Sequence, residues 1–214
     1  MMLCDMTCAG LHQATFDENP ERVGLFADHH PNCSCERESL VPTVSPGLIS
    51  NDEPIARIVC SPMHVHKKQP KLMTNFFSHV VSYGASVQRL AHATDTELVE
   101  CIKGLVTGSE DRAWLGYTEA SASEIRAKTL RKQGEQSFSI LDSALSQNPA
   151  HAEIHCAYRI PEADVIEYRH ELLKVFGGET AIKPRKNLRE GKIWSSLPNA
   201  VTDREVPPQW AALI

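Results

Sequence analysis

Between residues 55 and 176 the apolar and polar positions repeat with periods that name their elements. Ile55–Cys60 (IARIVC) is a short β-rich run stopped by Ser61-Pro62, and Ala85–Leu90 alternates in a way suited to pairing with it. Thr94-Asp95-Thr96-Glu97 has the form of a capping box, followed by Leu98, Cys101, Ile102, Leu105 and Val106 at helical spacing up to Gly108. A strand is predicted over Ala113–Tyr117. A second capping box, Ser121 to Glu124, predicts a basic helix through Arg126, Lys128, Arg131 and Lys132 that ends at Gly134. Ser137–Leu141 and His151–Tyr158 read as two more strands separated by the Asn148-Pro149 turn. A last helix spans about 162–176, with Val165, Tyr168, Leu172 and Val175 as its inward stripe and Gly177-Gly178 as its stop. The expected fold class is α+β, a small mixed sheet packed by about three helices, with irregular N- and C-terminal extensions.

The ends lack this periodicity. Residues 1–54 hold nine acids against Arg22 and Arg37 and are punctuated by prolines, so they read as an acidic, cysteine-bearing arm that needs a staple. Residues 55–178 form the core, and residues 179–214 are a tail carrying Trp194 and Trp210.

Composition narrows the classes. The chain has 214 residues, 42% hydrophobic and 23% charged, which excludes fibrous and wholly disordered architectures. No apolar run approaches the ~18–20 residues of a bilayer span. The N-terminus lacks the charge and hydrophobic run of a secretory leader, so a soluble cytoplasmic protein is expected. The net charge of −5 argues against coating nucleic acid. The seven cysteines are an odd count and fit reduced thiols better than a disulfide framework.

Four short pieces occur in order: Arg57 to Ser61-Pro62-Met63-His64, Phe77 leading to Ser86-Val87, Gly116 followed by Ser121 to Arg126, and Asn148-Pro149-Ala150-His151-Ala152. In these pieces, over roughly residues 55–157, the chain resembles a group of small uncharacterised bacterial proteins. The resemblance implies one continuous domain and a bacterial source, with anti-phage defence as the setting; it implies no reaction.

Four constellations carry candidate chemistry. Cys4, Cys8, Cys33 and Cys35 supply two thiol pairs, with His29 and His30 nearby, and four thiolates suit a structural zinc ion that would hold the arm. Alternation places His64 with His66 on one face of an extended segment, and His151, Glu153 and His155 on one face of another. Were the two to meet, a catalytic metal site with Glu153 as general base would result. The competing reading is surface histidines, with His151 bonding the turn at Asn148. Cys60, at a strand end just before the Ser61-Pro62 turn, is a candidate nucleophile with His64 or His151 as its base, although alternation would equally bury it. The stretch Lys183, Arg185, Lys186, Arg189 offers weak phosphate binding against an ordinary solvated linker.

The reading favoured by these features is an accessory or binding subunit of a multiprotein system. Its contacts to a protein partner or second copy would run through Trp194, Trp210, Leu213 and Ile214. Nucleic acid is a weaker candidate partner, and no membrane partner is expected. The alternative is a metal-dependent hydrolase built on the histidine cluster.

Overall fold

Thr94 and Ser121 set the two best-defined boundaries of the fold. Each hydroxyl accepts the backbone N–H three residues on, and Glu97 and Glu124 reach back to the capping N–H. The computed structural model describes residues 7–15, 19–29, 34–66, 68–69, 71–130, 135–197 and 208. Its strands are β1 (Pro54–Ser61), β2 (Ala85–Arg89), β3 (Ala113–Ser121), β4 (Phe138–Leu141), β5 (His151–Cys156) and β6 (Lys183–Pro184). They make one sheet in the order β4-β5-β2-β1-β3-β6. Every pair is antiparallel, so the sheet expected to be mixed is not. The helices are α1 (Cys8–Thr15), α2 (Arg22–His29), α3 (Asp95–Thr107), α4 (Ala122–Arg126), α5 (Val165–Val175) and α6 (Lys192–Ser196). The fold is α+β.

Strand alternation divides the core. Ile55 and Val59 of β1, with Ala152, Ile154 and Cys156 of β5, join a cluster with Phe76, Phe77, Tyr168 and Leu172 on one face. Ala56, Ile58 and Cys60 face the other way, against Leu98 and Ile102 of α3 and Ile193 of α6. On that second face β4 is covered by the N-terminal segment, where Cys8, Leu11, Phe26 and Cys35 enclose Leu141. The second face is therefore roofed at both ends and open between.

Four expectations need correction. The basic helix after Ser121 ends at Arg126, because tertiary partners divide its bases. Arg126 bonds Glu36, Asn51 and the Ile49 carbonyl, while Lys128 bonds Glu171 of α5. The acidic arm contains two helices, and its staple is a Cys8–Cys35 disulfide with Cα atoms 5.5 Å apart. The described part of the C-terminal tail is core, since Leu188, Ile193 and Leu197 are buried with α3. On α5 the buried residues are Tyr168, Leu172 and Leu173, with Phe176 just beyond, so its apolar stripe is rotated from the expected one. Among the described residues no helix is long and apolar enough to cross a membrane.

Candidate ligand-binding groove

Two arginines on neighbouring strands define the site by their contrast. β1 and β2 pair at Ile55↔Arg89 and Ala56↔Gln88, and beyond these pairs the strands separate. At the closed end Arg89 is fully buried, and all its donors are used. Nε and Nη2 donate to Glu53 at 2.6 and 3.1 Å, while Nη1 donates to the Gly47 carbonyl at 2.6 Å and to Asp142 at 3.3 Å. Nη2 also reaches the Leu48 carbonyl at 3.3 Å. At the open end stands Arg57. Its Nε donates to the Phe76 carbonyl at 3.0 Å and its Nη1 to the Ser86 carbonyl, and its Cζ lies 4.9 Å from the Phe76 ring centre. No carboxylate pairs with it among the described residues. Burial lowers its pKa to about 10, which leaves it charged at neutral pH.

By alternation Arg57 leaves β1 on the first face, against Phe76 and Phe77, and at the gap between β1 and β2 it borders a groove of about 490 Å³ that opens between α3 and the strands β2 and β5. This volume lies in the range of small-molecule pockets. The apolar part of the lining includes Ile58, Met63 and Leu105. The polar lining is unusual because so much of it has no work inside the protein. Gln88 is 97% buried, yet among the described residues its Oε1 has no hydrogen-bond partner, and neither has Asn148 Oδ1. A buried polar group without a partner costs about 1–3 kcal/mol, so such groups are rare unless something else satisfies them.

Of the three groove histidines, His64, His79 and His151, the first and last are held in opposite tautomers. His64 Nδ1 accepts the Cys60 amide at 3.0 Å, so its proton sits on Nε2. Burial, and then Arg57, push its pKa down to about 3, so it remains a neutral donor. His151 is the reverse: Nδ1 donates to the Ser143 carbonyl at 2.9 Å, which leaves Nε2 as an acceptor. Glu97 and Glu100 of α3 also line the groove, with His79, Ser86 and Gln147.

Further along the same face, His12, Arg22, Glu153 and His155 form a buried chain under the N-terminal helices. Arg22 Nη1 donates to Glu153 Oε1 at 2.9 Å and to the Tyr83 carbonyl at 3.0 Å, and Nη2 meets His12 Nδ1. His155 Nε2 donates to Glu153 Oε2 at 2.9 Å. Burial opposes ionisation of Glu153, but the His155 hydrogen bond and the charges around it hold its pKa at about 2. Burial and Arg22 lower His12 to about 4, and burial also lowers His155. Gly84 is required beside this chain. Its φ is +93°, and a Cβ there would lie 2.4 Å from His155 Nε2.

The residues singled out in the sequence divide accordingly. His151, Glu153 and His155 do share one face of β5, but no metal cluster forms with His64 and His66. Glu153 is committed to Arg22, His64 to the Cys60 backbone, and exposed His66 accepts the Lys68 amide at 3.3 Å. Among the described residues no group of three or more candidate ligands is assembled. Of the expected zinc set, Cys8 and Cys35 are bonded to each other, while Cys4 and Cys33 lie outside the described residues, as does His30. Cys60 is buried, and burial pushes its thiol to about 12; no nucleophile is activated there. Cys101, bordering the groove, is pushed to about 11 for the same reason.

The basic stretch near the C-terminus is dispersed onto separate partners. Lys183 pairs with Glu119 at 3.3 Å, Arg185 donates to the Trp114 carbonyl at 3.3 Å, and Arg189 donates to the Leu90 and Ala93 carbonyls. Lys186 is exposed, so the four do not converge on a phosphate. Trp210, Leu213 and Ile214 lie outside the described residues, and of Trp194 only the backbone is described.

No protein-family model matches the chain, and no curated protein or solved structure matches it significantly. The groove itself is therefore what speaks for function. Sequence reasoning passed over Arg57, Gln88 and Asn148 as site residues. The available signal was a lone arginine inside the apolar run IARIVC, where a strand of this kind has no ordinary use for a charge.

Proposed function

We propose that this protein is a small-molecule-binding protein whose ligand carries an anionic group held by Arg57 and the His64 Nε2–H. The observation that carries the reading is the half-buried guanidinium of Arg57 at the edge of a ligand-sized groove, without a carboxylate partner, two strand positions from an arginine that is fully paired. A desolvated cation gains more from an anion than an exposed one does, because the local dielectric is low. Binding is favoured over nucleophilic catalysis by the thiols, which burial holds protonated, and by His64, whose fixed tautomer leaves it a donor. The binding role assigned on sequence grounds to the terminal extensions is thereby moved to the groove. A thermal-shift screen of small carboxylates and phosphates tests this. Binders should stabilise the wild type and lose their effect in Arg57→Gln; shifts that survive the substitution would refute it.

A further inference from the structure

The groove is not uniformly cationic. Resting on the anion-site reading above, we propose that its ligand is a zwitterionic amino-carboxylate, with the carboxylate at Arg57 and an ammonium group at the acceptors across the groove. Three neutral acceptors belong to that second pole: Gln88 Oε1 and Asn148 Oδ1, both buried without partners, and His151 Nε2. Gln88 and His151 are adjacent, being cross-strand partners in the β2–β5 register, and the His151 amide donates to the Asn148 carbonyl at 3.0 Å. No donor among the described residues answers the two orphaned oxygens, so a ligand rich in N–H suits them and a second anion does not.

The carboxylates agree. Glu97 and Glu100 border the same groove, and the charge of Glu97 would repel a ligand that was only anionic. Glu97 accepts from the Thr94 amide and hydroxyl and has no cationic partner among the described residues, whereas Glu100 is neutralised by Lys103 at 2.6 Å.

Backbone separations along the two walls set the length of the probe. Arg57 bonds at Ser86, two residues from Gln88, and two residues of strand span about 6.6 Å. On α3, Glu97 precedes Cys101, which lies near Arg57, by four residues, or about 6 Å of helix rise. A linear ω-amino acid of intermediate length is the probe scaled to those separations.

The probes are 6-aminohexanoate, hexanoate and hexylammonium, with 4-aminobutanoate and 8-aminooctanoate as length controls, titrated into the full chain by protein-observed NMR. We expect 6-aminohexanoate to bind at least tenfold more tightly than either singly charged probe and more tightly than the shorter and longer zwitterions. Gln88→Met should reduce its advantage over hexanoate at least fivefold. Arg57→Gln should abolish binding of both carboxylates, and Arg57→Lys, which keeps the charge if the glutamine variant does not fold, should retain part of it. Equal binding of hexanoate and 6-aminohexanoate, both lost in Arg57→Gln, would overturn the zwitterion and leave the anion site standing. Hexylammonium binding as tightly as 6-aminohexanoate would overturn the carboxylate's role at Arg57, and with it the zwitterion. Carboxylate binding that ignores Arg57, or no binding by any probe, would overturn both readings.

Discussion

Replacing Gln88 by Met is expected to stabilise the ligand-free protein. Most core substitutions destabilise, so the sign alone is informative. Gln88 lies 97% buried on β2 between Ala56 and His151, and its Oε1 meets no donor. An orphaned buried amide costs about 1–3 kcal/mol, and nothing in the surroundings returns that cost. Methionine matches the unbranched shape of glutamine, so it keeps the packing while removing the polar end, and volume-conserving swaps are well tolerated. The expected gain is thus about 1–3 kcal/mol, or roughly 2–12 °C in Tm for a chain of this size. Urea denaturation of both proteins without ligand measures it, with equal m-values as the check that the unfolded states are comparable. A loss of about 1 kcal/mol or more would refute the reasoning, since it would mean that the amide has a partner in solution and is not held in reserve.

Acid should destabilise the protein well above the carboxylate range. His12 and His64 have folded pKa values of about 4 and about 3, against 6.5 in the unfolded chain. Their stabilisation is complete above pH 6.5 and is lost as pH falls toward those values, each adding up to about 1.4 kcal/mol per pH unit. His64→Phe should remove one share of that slope between pH 6 and 4.5, and an unchanged slope in urea melts would sink the assignment. Opening the Cys8–Cys35 disulfide, which closes a separation of 27 residues, should cost up to about 3.5 kcal/mol by loop-closure entropy and should make the α1–α2 segment protease-sensitive. If protection and melting are unchanged under reductant, the staple is not what holds that segment. On α3, Ile102→Ala should cost about 2–5 kcal/mol, because the side chain is fully buried. Leu105→Ala, at the groove edge, should cost clearly less; equal losses would place the groove elsewhere.

What the sequence makes legible here is what is local. The capping boxes at Thr94 and Ser121 are closed within four residues, so their geometry follows from the residues themselves. The two faces of β5 follow from period-2 alternation for the same reason. The length of α4 is not local, because Glu36 and Glu171, far along the chain, claim its bases. Nor is the pairing of Cys8 with Cys35, since spacing does not fix connectivity. The groove is the least local feature. Arg57 becomes a site residue only because β2 turns away from β1 after two pairs, and no pattern within either strand records that divergence.

That divergence has a mechanical meaning. The sheet consists of two halves, β4-β5-β2 and β1-β3-β6, joined across a seam that is riveted at one end by Arg89 and bridged at the other by the Arg57 side chain standing in for missing ladder bonds. A side chain in that position is a removable stitch. Any anion that draws the guanidinium away from the Ser86 carbonyl trades a cross-strand bond for a ligand bond, so occupancy and the tightness of the seam are linked quantities. Backbone exchange near Ser86 would report ligand occupancy, while the riveted end near Arg89 would remain still.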